Sequence, residues 1–230
     1  GETAIFYRTN NQSRTFEEVF MRNAIPYKVV GGVRFYERKE VRDLLAYLRV
    51  LANPYDEISL RRIINTPKRG IGDKAIAALD EMDIPLWDAL FKADQARDLT
   101  ARAISAIDQF ANLMATLRTM VESGFKPSVI AEAVIDQSGL GAELSDSTDP
   151  QDEVRVENLK ELVAVSMEYE ERPFEELGED EEISLAGFLE KVSLVADADE
   201  IPEGEDHGGV VTMMTLHTAK GLEFPTVFLT

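Results

Sequence analysis

The residues best equipped for chemistry in this sequence are hydrogen-bond donors and cations set in glycine-containing loops. In TLHTAKGLEF, Thr215 and His217 can donate to phosphate oxygens, Lys220 adds positive charge, and Gly221 lets backbone approach closely. Glu223 can accept bonds from ribose hydroxyls. In YRTNNQSR (Tyr7–Arg14), Arg8 and Asn10 could contact a nucleic-acid backbone or base edges. In TPKRGIGD (Thr66–Asp73), Gly70-Ile71-Gly72 follows Lys68 and Arg69 and precedes Lys74, a pattern whose exposed backbone N–H groups can grip a phosphate at a helix start. Each segment also has a plain structural reading. The first can be a capped strand–loop–strand, the second a loop whose Asn and Ser cap a helix, the third a glycine C-cap and turn. GGVRFYERKEVRD (Gly31–Asp43) is likewise open. Arg34, Arg38 and Lys39 could line a strand with Phe35 or Tyr36 stacking on a base, or the glycines form a hinge and the aromatics anchor a core.

Other chemistries find little support. There is no cysteine, which excludes disulfides, thiolate metal sites and a thiol nucleophile, and the two histidines, His207 and His217, stand apart. No paired carboxylates, Ser/His/Asp set or metal-spaced cluster stands out. No Gly-Lys pair occurs, so the phosphate-gripping loop G-x-x-x-x-G-K-[ST] is missing.

Positioning those loops requires strands at both ends of the chain and helices between. Ala4–Tyr7 reads as a strand, and Phe16, Val19 and Phe20 fall at helical spacing with Ser13 or Thr15 as a possible N-cap. Ile25–Val30 is a second strand, stopped by Gly31-Gly32, so the opening is a βαβ-like unit that favours a parallel sheet. Val41, Leu44, Leu45, Leu48 and Leu51 make one helix face closed by Asn53-Pro54. Short helices are expected around Ile58–Ile63, Lys74–Met82 and Leu86–Ala93. A long one runs from Leu99 to Val121 with Gly124 as its cap, and another over Ser128–Gln137 ends near Gly139. Val156–Met167 and Leu185–Val195 mark two more. Trp87 and Met167 are expected in the core. Glu175–Glu182 and Asp197–Gly209, the latter holding His207, read as acidic loops. Val210–Leu216 is a strand, and Pro225–Thr230 a further strand that runs to the last residue, as in a piece of a longer protein.

Of the 230 residues, Lys plus Arg make 24 and Asp plus Glu 43, a net −19, which argues against a polyanionic partner for the chain as a whole. The charge is uneven, however: residues 1–74 carry +5 and residues 75–230 carry −24. The first third can therefore meet a phosphate backbone that the rest repels. No apolar run reaches the length of a membrane helix, and GETAIFYRTN lacks the features of a secretory signal, so a soluble intracellular protein is expected.

AIFYRTNNQSR, IPYKVVGGVRFYERKEVRDLLAYLRVLANP, INTPKRGIGD and VVTMMTLHTAKGLEFPTVFLT, in that order, resemble UvrD/PcrA/Rep-type superfamily 1 DNA helicases, in an actinobacterial-like form. The resemblance implies α/β ends, residues 1–32 and 208–230, that are parts of a RecA-like domain 2A with a parallel sheet. It implies an all-α inserted domain 2B over residues 33–207, holding a helix-hairpin-helix-like element. By the same resemblance Arg8, Asn10, Thr215 and His217 contact single-stranded DNA. Gly221 and Glu223 face the ATP ribose. Lys68, Arg69, Gly70, Ile71, Gly72 and Lys74 grip duplex DNA, and the pairs Gly31-Gly32 and Gly208-Gly209 form a hinge. It further implies a 3′–5′ helicase using ATP and Mg²⁺ in repair or replication, in the bacterial cytoplasm at the nucleoid. Repair or transcription proteins could dock on 2B, or 2B could self-associate. Since the Walker A lysine and the Mg²⁺-binding acidic motif are absent, this stretch is expected to be inactive by itself. The other class left open is a non-enzymatic DNA-binding, protein-docking or dimerisation module.

Overall fold

The structure is a computed structural model that describes residues 3–8, 12–31, 33–171, 183–197 and 209–230. It is mostly helical with one small sheet. The chain separates into two compact units, one from residues 1–41 with 190–230 and the other from residues 42–189. The expected boundaries, 32/33 and 207/208, lie outside those of the helical unit on both sides.

The first unit is built on four strands, β1 (Thr3–Tyr7), β2 (Tyr27–Val30), β3 (Val211–Thr215) and β4 (Thr226–Leu229). All neighbours are parallel, in the order β2-β3-β1-β4. Parallel strands covered on both faces read as unbroken apolar runs, which is how Ala4–Tyr7 and Met213-Met214 appear in the sequence. Helix α1 (Ser13–Arg22) links β1 to β2, and β3 takes the place between them. Phe16 and Phe20, one turn apart, pack with Tyr27, Val29 and Val211 on the buried trio Ile5, Tyr7 and Met213. Val19, expected on the same face, is exposed. The helix starts at Ser13 itself with Gln12 at the cap, so neither Ser13 nor Thr15 serves as N-cap. Ser13 is buried and its hydroxyl accepts from the Arg38 guanidinium at 3.2 Å.

Phe35 and Tyr36 lie in a short 3-10 turn, both buried, with Arg38 buried over the Phe35 ring. Of the two readings open for this segment, core anchoring holds for these three. The reason is a polar network: Glu17 accepts from the Phe35 N–H, and Tyr36 donates to Glu18, which also pairs with Arg14.

Helices α2 (Lys39–Ala52), α3 (Glu57–Ile63), α4 (Asp73–Asp80), α5 (Leu86–Leu90), α6 (Ala101–Glu122), α7 (Pro127–Ser138), α8 (Leu140–Ser145), α9 (Pro150–Glu170) and α10 (Leu185–Asp197) follow. Leu44, Leu48, Ile63, Phe110, Met114, Val134 and Leu162 are among the fully buried side chains of the second unit. Asp56 caps α3 by accepting from the Ser59 N–H, and Thr100 caps α6. Gly139 ends α7 in the left-handed region, where glycine carries no Cβ penalty. Three features differ from the sequence reading. α9 begins at Pro150, earlier than expected, because Asp149 accepts from the Gln151 N–H and Pro150 fits the first turn. Met167 is exposed, while Tyr169 two positions on is fully buried, and Trp87 is half-buried against Phe91. Among the described residues no helix is long and apolar enough to cross a membrane.

Candidate nucleic-acid interface

The register of the sheet determines where the first two loops lie. Tyr7, the last residue of β1, is paired with Thr215, the last of β3. The ladder continues one step further, with the Leu216 N–H donating to the Tyr7 carbonyl at 3.0 Å. Arg8 and His217, far apart in sequence, thus leave neighbouring parallel strands at the same end, and both are exposed. The carboxyl end of an open parallel sheet is where such folds place ligands. The Arg8 N–H is held by the Gln12 side chain at 2.9 Å, and no described residue takes its guanidinium. Asn10 lies outside the described residues.

After β3 the chain makes a tight turn. The Ala219 N–H donates to the Thr215 carbonyl, and the Leu222 N–H to the Ala219 carbonyl. Thr215 is half-buried, and its hydroxyl lies 2.9 Å from the Thr218 hydroxyl and accepts from the Thr218 N–H. A threonine that closes its own turn in this way shapes the loop. The groups turned to solvent are His217 and Lys220. Gly221 has φ +85, and a Cβ there would meet nothing within 4 Å. Glu223 is exposed with no partner among the described residues. Phe224 anchors the exit by an edge contact on Phe6, with centroids 6.0 Å apart.

Gly31 bears on this loop directly. Its φ is +75, and a Cβ would lie 2.7 Å from Thr218 Cγ2 and 2.9 Å from its Oγ1. Glycine is required there twice over, by conformation and by space. The residue expected at a hinge is packed against the strand-end loop. Gly209 is exposed, and Gly32 and Gly208 lie outside the described residues.

Beneath these loops sits a buried polar group. The Tyr7 phenol is fully covered, and its pKa is pushed up to about 12, chiefly by burial and next by the carboxylate of Glu17; Arg38 opposes the shift.

The third loop joins α3 to α4 in the helical unit. Arg61 clasps both carboxylate oxygens of Asp80 at 2.6 and 3.1 Å and so ties the two helices. Between them Asn65 Oδ1 accepts from the N–H groups of both Arg69 and Ile71, at 3.0 and 3.3 Å. The Ile71 side chain is fully buried, so it anchors the loop. Gly70 has φ +84 with open space around it. Gly72 is extended at the N-cap of α4 and provides no side-chain cap. Lys68, Gly70, Gly72 and Lys74 are exposed, as is Asp73, whose negative charge sits among them.

Arg69 departs from expectation. Its Nη1 donates to the carbonyls of Ile63 at 2.8 Å and of Ile64 and Thr66 at 3.3 Å. Its Nη2 donates to the Tyr47 hydroxyl at 2.8 Å and the Ser138 carbonyl at 3.1 Å, and the guanidinium lies 4.9 Å from the Phe110 ring centroid. Arg69, expected with Lys68 and Lys74 among the phosphate partners, thus gives its guanidinium to carbonyls at two helix C-termini. The sequence reading also missed Asn65 and Gln12. Both are amide side chains beside a loop, the type that caps backbone N–H groups locally.

Comparison with known proteins gives a consistent picture. The family described as UvrD-like helicase C-terminal domain matches residues 1–230. The chain is similar to the ATP-dependent DNA helicase UvrD1 of Mycobacterium tuberculosis (strain ATCC 25618 / H37Rv), 53% identical over 243 residues, covering 100% of this chain and 31% of the relative. The UvrD1 helicase of Mycobacterium leprae (strain TN) is 47% identical, with the same coverage. The ATP-dependent DNA helicase PcrA of Staphylococcus epidermidis (strain ATCC 35984) is 43% identical over 99% of this chain and 30% of its own length. The chain thus spans about a third of the length of these relatives.

Proposed function

The chain belongs to the UvrD-like helicase C-terminal domain family, and from that premise we propose that it is the part of an ATP-dependent 3′–5′ DNA helicase that holds the translocating strand on a RecA-like sheet and the duplex on an inserted helical domain. The observation that supports this most is the pairing of Tyr7 with Thr215, which sets Arg8 and His217 side by side at the carboxyl edge of the sheet. Arg8, His217 and Lys220 offer donors and positive charge to a phosphate backbone, with Asn10 as a further contact. Thr215 acts through the shape of its turn. The +5 on residues 1–74 favours a polyanion there, while the −24 on the remainder limits non-specific sticking.

ATP would supply the free energy for movement along the strand. The residues present suit only its sugar: Glu223 is exposed and unpartnered among the described residues, and the space beside Gly221 is open. A phosphate-gripping Gly-Lys pair does not occur in the sequence. No group of three or more acidic or histidine side chains that could hold a metal ion is found among the described residues. In this reading the nucleotide phosphates and Mg²⁺ would be held by the remainder of the complete helicase. In the helical unit, Lys68, Gly70, Gly72 and Lys74 face solvent around the start of α4 and would grip duplex phosphates in the manner of a helix-hairpin-helix element.

The test is strand-stimulated phosphate release by the complete helicase. Arg8→Ala and His217→Ala should each abolish most of the stimulation while leaving unstimulated turnover in place. The 230-residue chain should release no phosphate with or without single-stranded DNA. Robust turnover by the chain, or full stimulation in both variants, would overturn the assignment.

A further inference from the structure

We infer that Tyr47 and Arg69 are positioning residues that set the TPKRGIGD hairpin for duplex DNA without touching the DNA themselves. The inference rests on the duplex-gripping reading of that hairpin.

Tyr47 projects from α2 and is fully buried. Its hydroxyl donates to the Thr66 carbonyl at 2.6 Å and accepts from Arg69 Nη2 at 2.8 Å. Burial pushes its phenol pKa up, so it stays a neutral donor. Arg69 reaches the carbonyls of Ile63 and Ile64 at the end of α3 and of Ser138, the last residue of α7, and it lies over Phe110 of α6. One cation therefore joins α2, α3, α6 and α7 at the base of the hairpin. Helix C-termini carry partial negative charge, which is what a half-buried guanidinium needs. The planar fork serves several acceptors at once, which the point charge of a lysine does not. Meanwhile Asn65 holds the Arg69 and Ile71 N–H groups from beneath, and Ile71 fills the core. These inward attachments leave Lys68, Gly70, Gly72 and Lys74 exposed. A hairpin with a loosened base would present the same charges in the wrong places.

The experiment measures binding of the 230-residue chain to a forked duplex and to a single strand by fluorescence anisotropy over a series of salt concentrations. Tyr47→Phe and Arg69→Lys should each weaken fork binding on the order of fivefold, the worth of a lost buried hydrogen bond. Single-strand affinity and the slope of log K against log salt should stay unchanged. Lys68→Ala and Lys74→Ala should instead make that slope shallower by about 0.9 each, one phosphate contact apiece. In ¹⁵N NMR without DNA, Tyr47→Phe should move the amides of Gly70 and Gly72, although Tyr47 is remote from both in sequence. A Tyr47→Phe variant that melts earlier but binds the fork as well as the unaltered chain would show a purely structural role and overturn the inference. So would an Arg69→Lys slope that falls as it does for Lys68→Ala. If the unaltered chain prefers the fork no more than the single strand, the duplex reading itself fails, and this inference with it.

Discussion

The strand-end loops of the sheet and the hairpin of the helical unit both look, as sequence, like glycines set among cations. They solve different problems. At the sheet, the groups left exposed are side chains, Arg8 and His217, and the glycine in contact with their loop, Gly31, sits where a Cβ would collide with Thr218. At the hairpin, what lies open is backbone, at Gly70 and Gly72, while the most conspicuous cation, Arg69, turns to carbonyls. The position of a charged residue relative to helix ends decides whether it meets solvent, and that position appears only once the chain is folded.

The sharpest way to break this contrast is through the anchors. Ile71→Ala removes a fully buried side chain from the hairpin and should destabilise the helical unit by about 2–5 kcal/mol, read by urea unfolding. A loss within a few tenths would mean that the hairpin is not anchored as described. Next come the glycines. Gly70→Ala has only its positive φ to oppose it and should cost about 1–2 kcal/mol. Gly31→Ala adds a collision with Thr218 to the same conformational penalty and should cost more. Thr218→Ala in the same chain should recover the difference, since it removes both atoms that lie within 3 Å. Equal costs at the two glycines, or no recovery, would remove the distinction between them.

The smallest effect concerns pH. The Tyr7 phenol titrates near 12 in the fold and near 10 when unfolded. Above pH 10 the unfolded chain therefore holds fewer protons than the folded one, and stability contributed by this group falls between pH 10 and 12. Tyr7→Phe should make the alkaline loss of stability shallower across that window. Parallel curves would mean that the phenol is not shielded as placed.

The parallel sheet was legible because the apolar run Ala4–Tyr7 and the β-branched, Met-rich stretch Val210–Leu216 read as strands, and the βαβ-like order of the opening favours parallel pairing. Most helices followed from apolar spacing and from the glycines after their ends. What escaped the sequence were placements that depend on distant partners. Met167 continues an apolar series yet is exposed, because the buried face of α9 passes through Tyr169 instead. Thr215 reads as a donor to a ligand, but Thr218, three residues on, takes its hydroxyl. Arg69 reads as a phosphate partner because nothing in its neighbourhood announces Ser138 or Tyr47. Both Arg8 and His217 read as lying in loops that follow strands, and the register Tyr7↔Thr215 brings those two loops to the same end of neighbouring strands.

That those two loops act as one surface is tested most directly by an NMR titration of the chain with an oligothymidylate. The amides of Arg8, His217 and Lys220 should shift together along a single saturation curve, while those of Gly70 and Gly72 stay where they are. Shifts confined to one of the two loops, or absent from both while other residues respond, would contradict it.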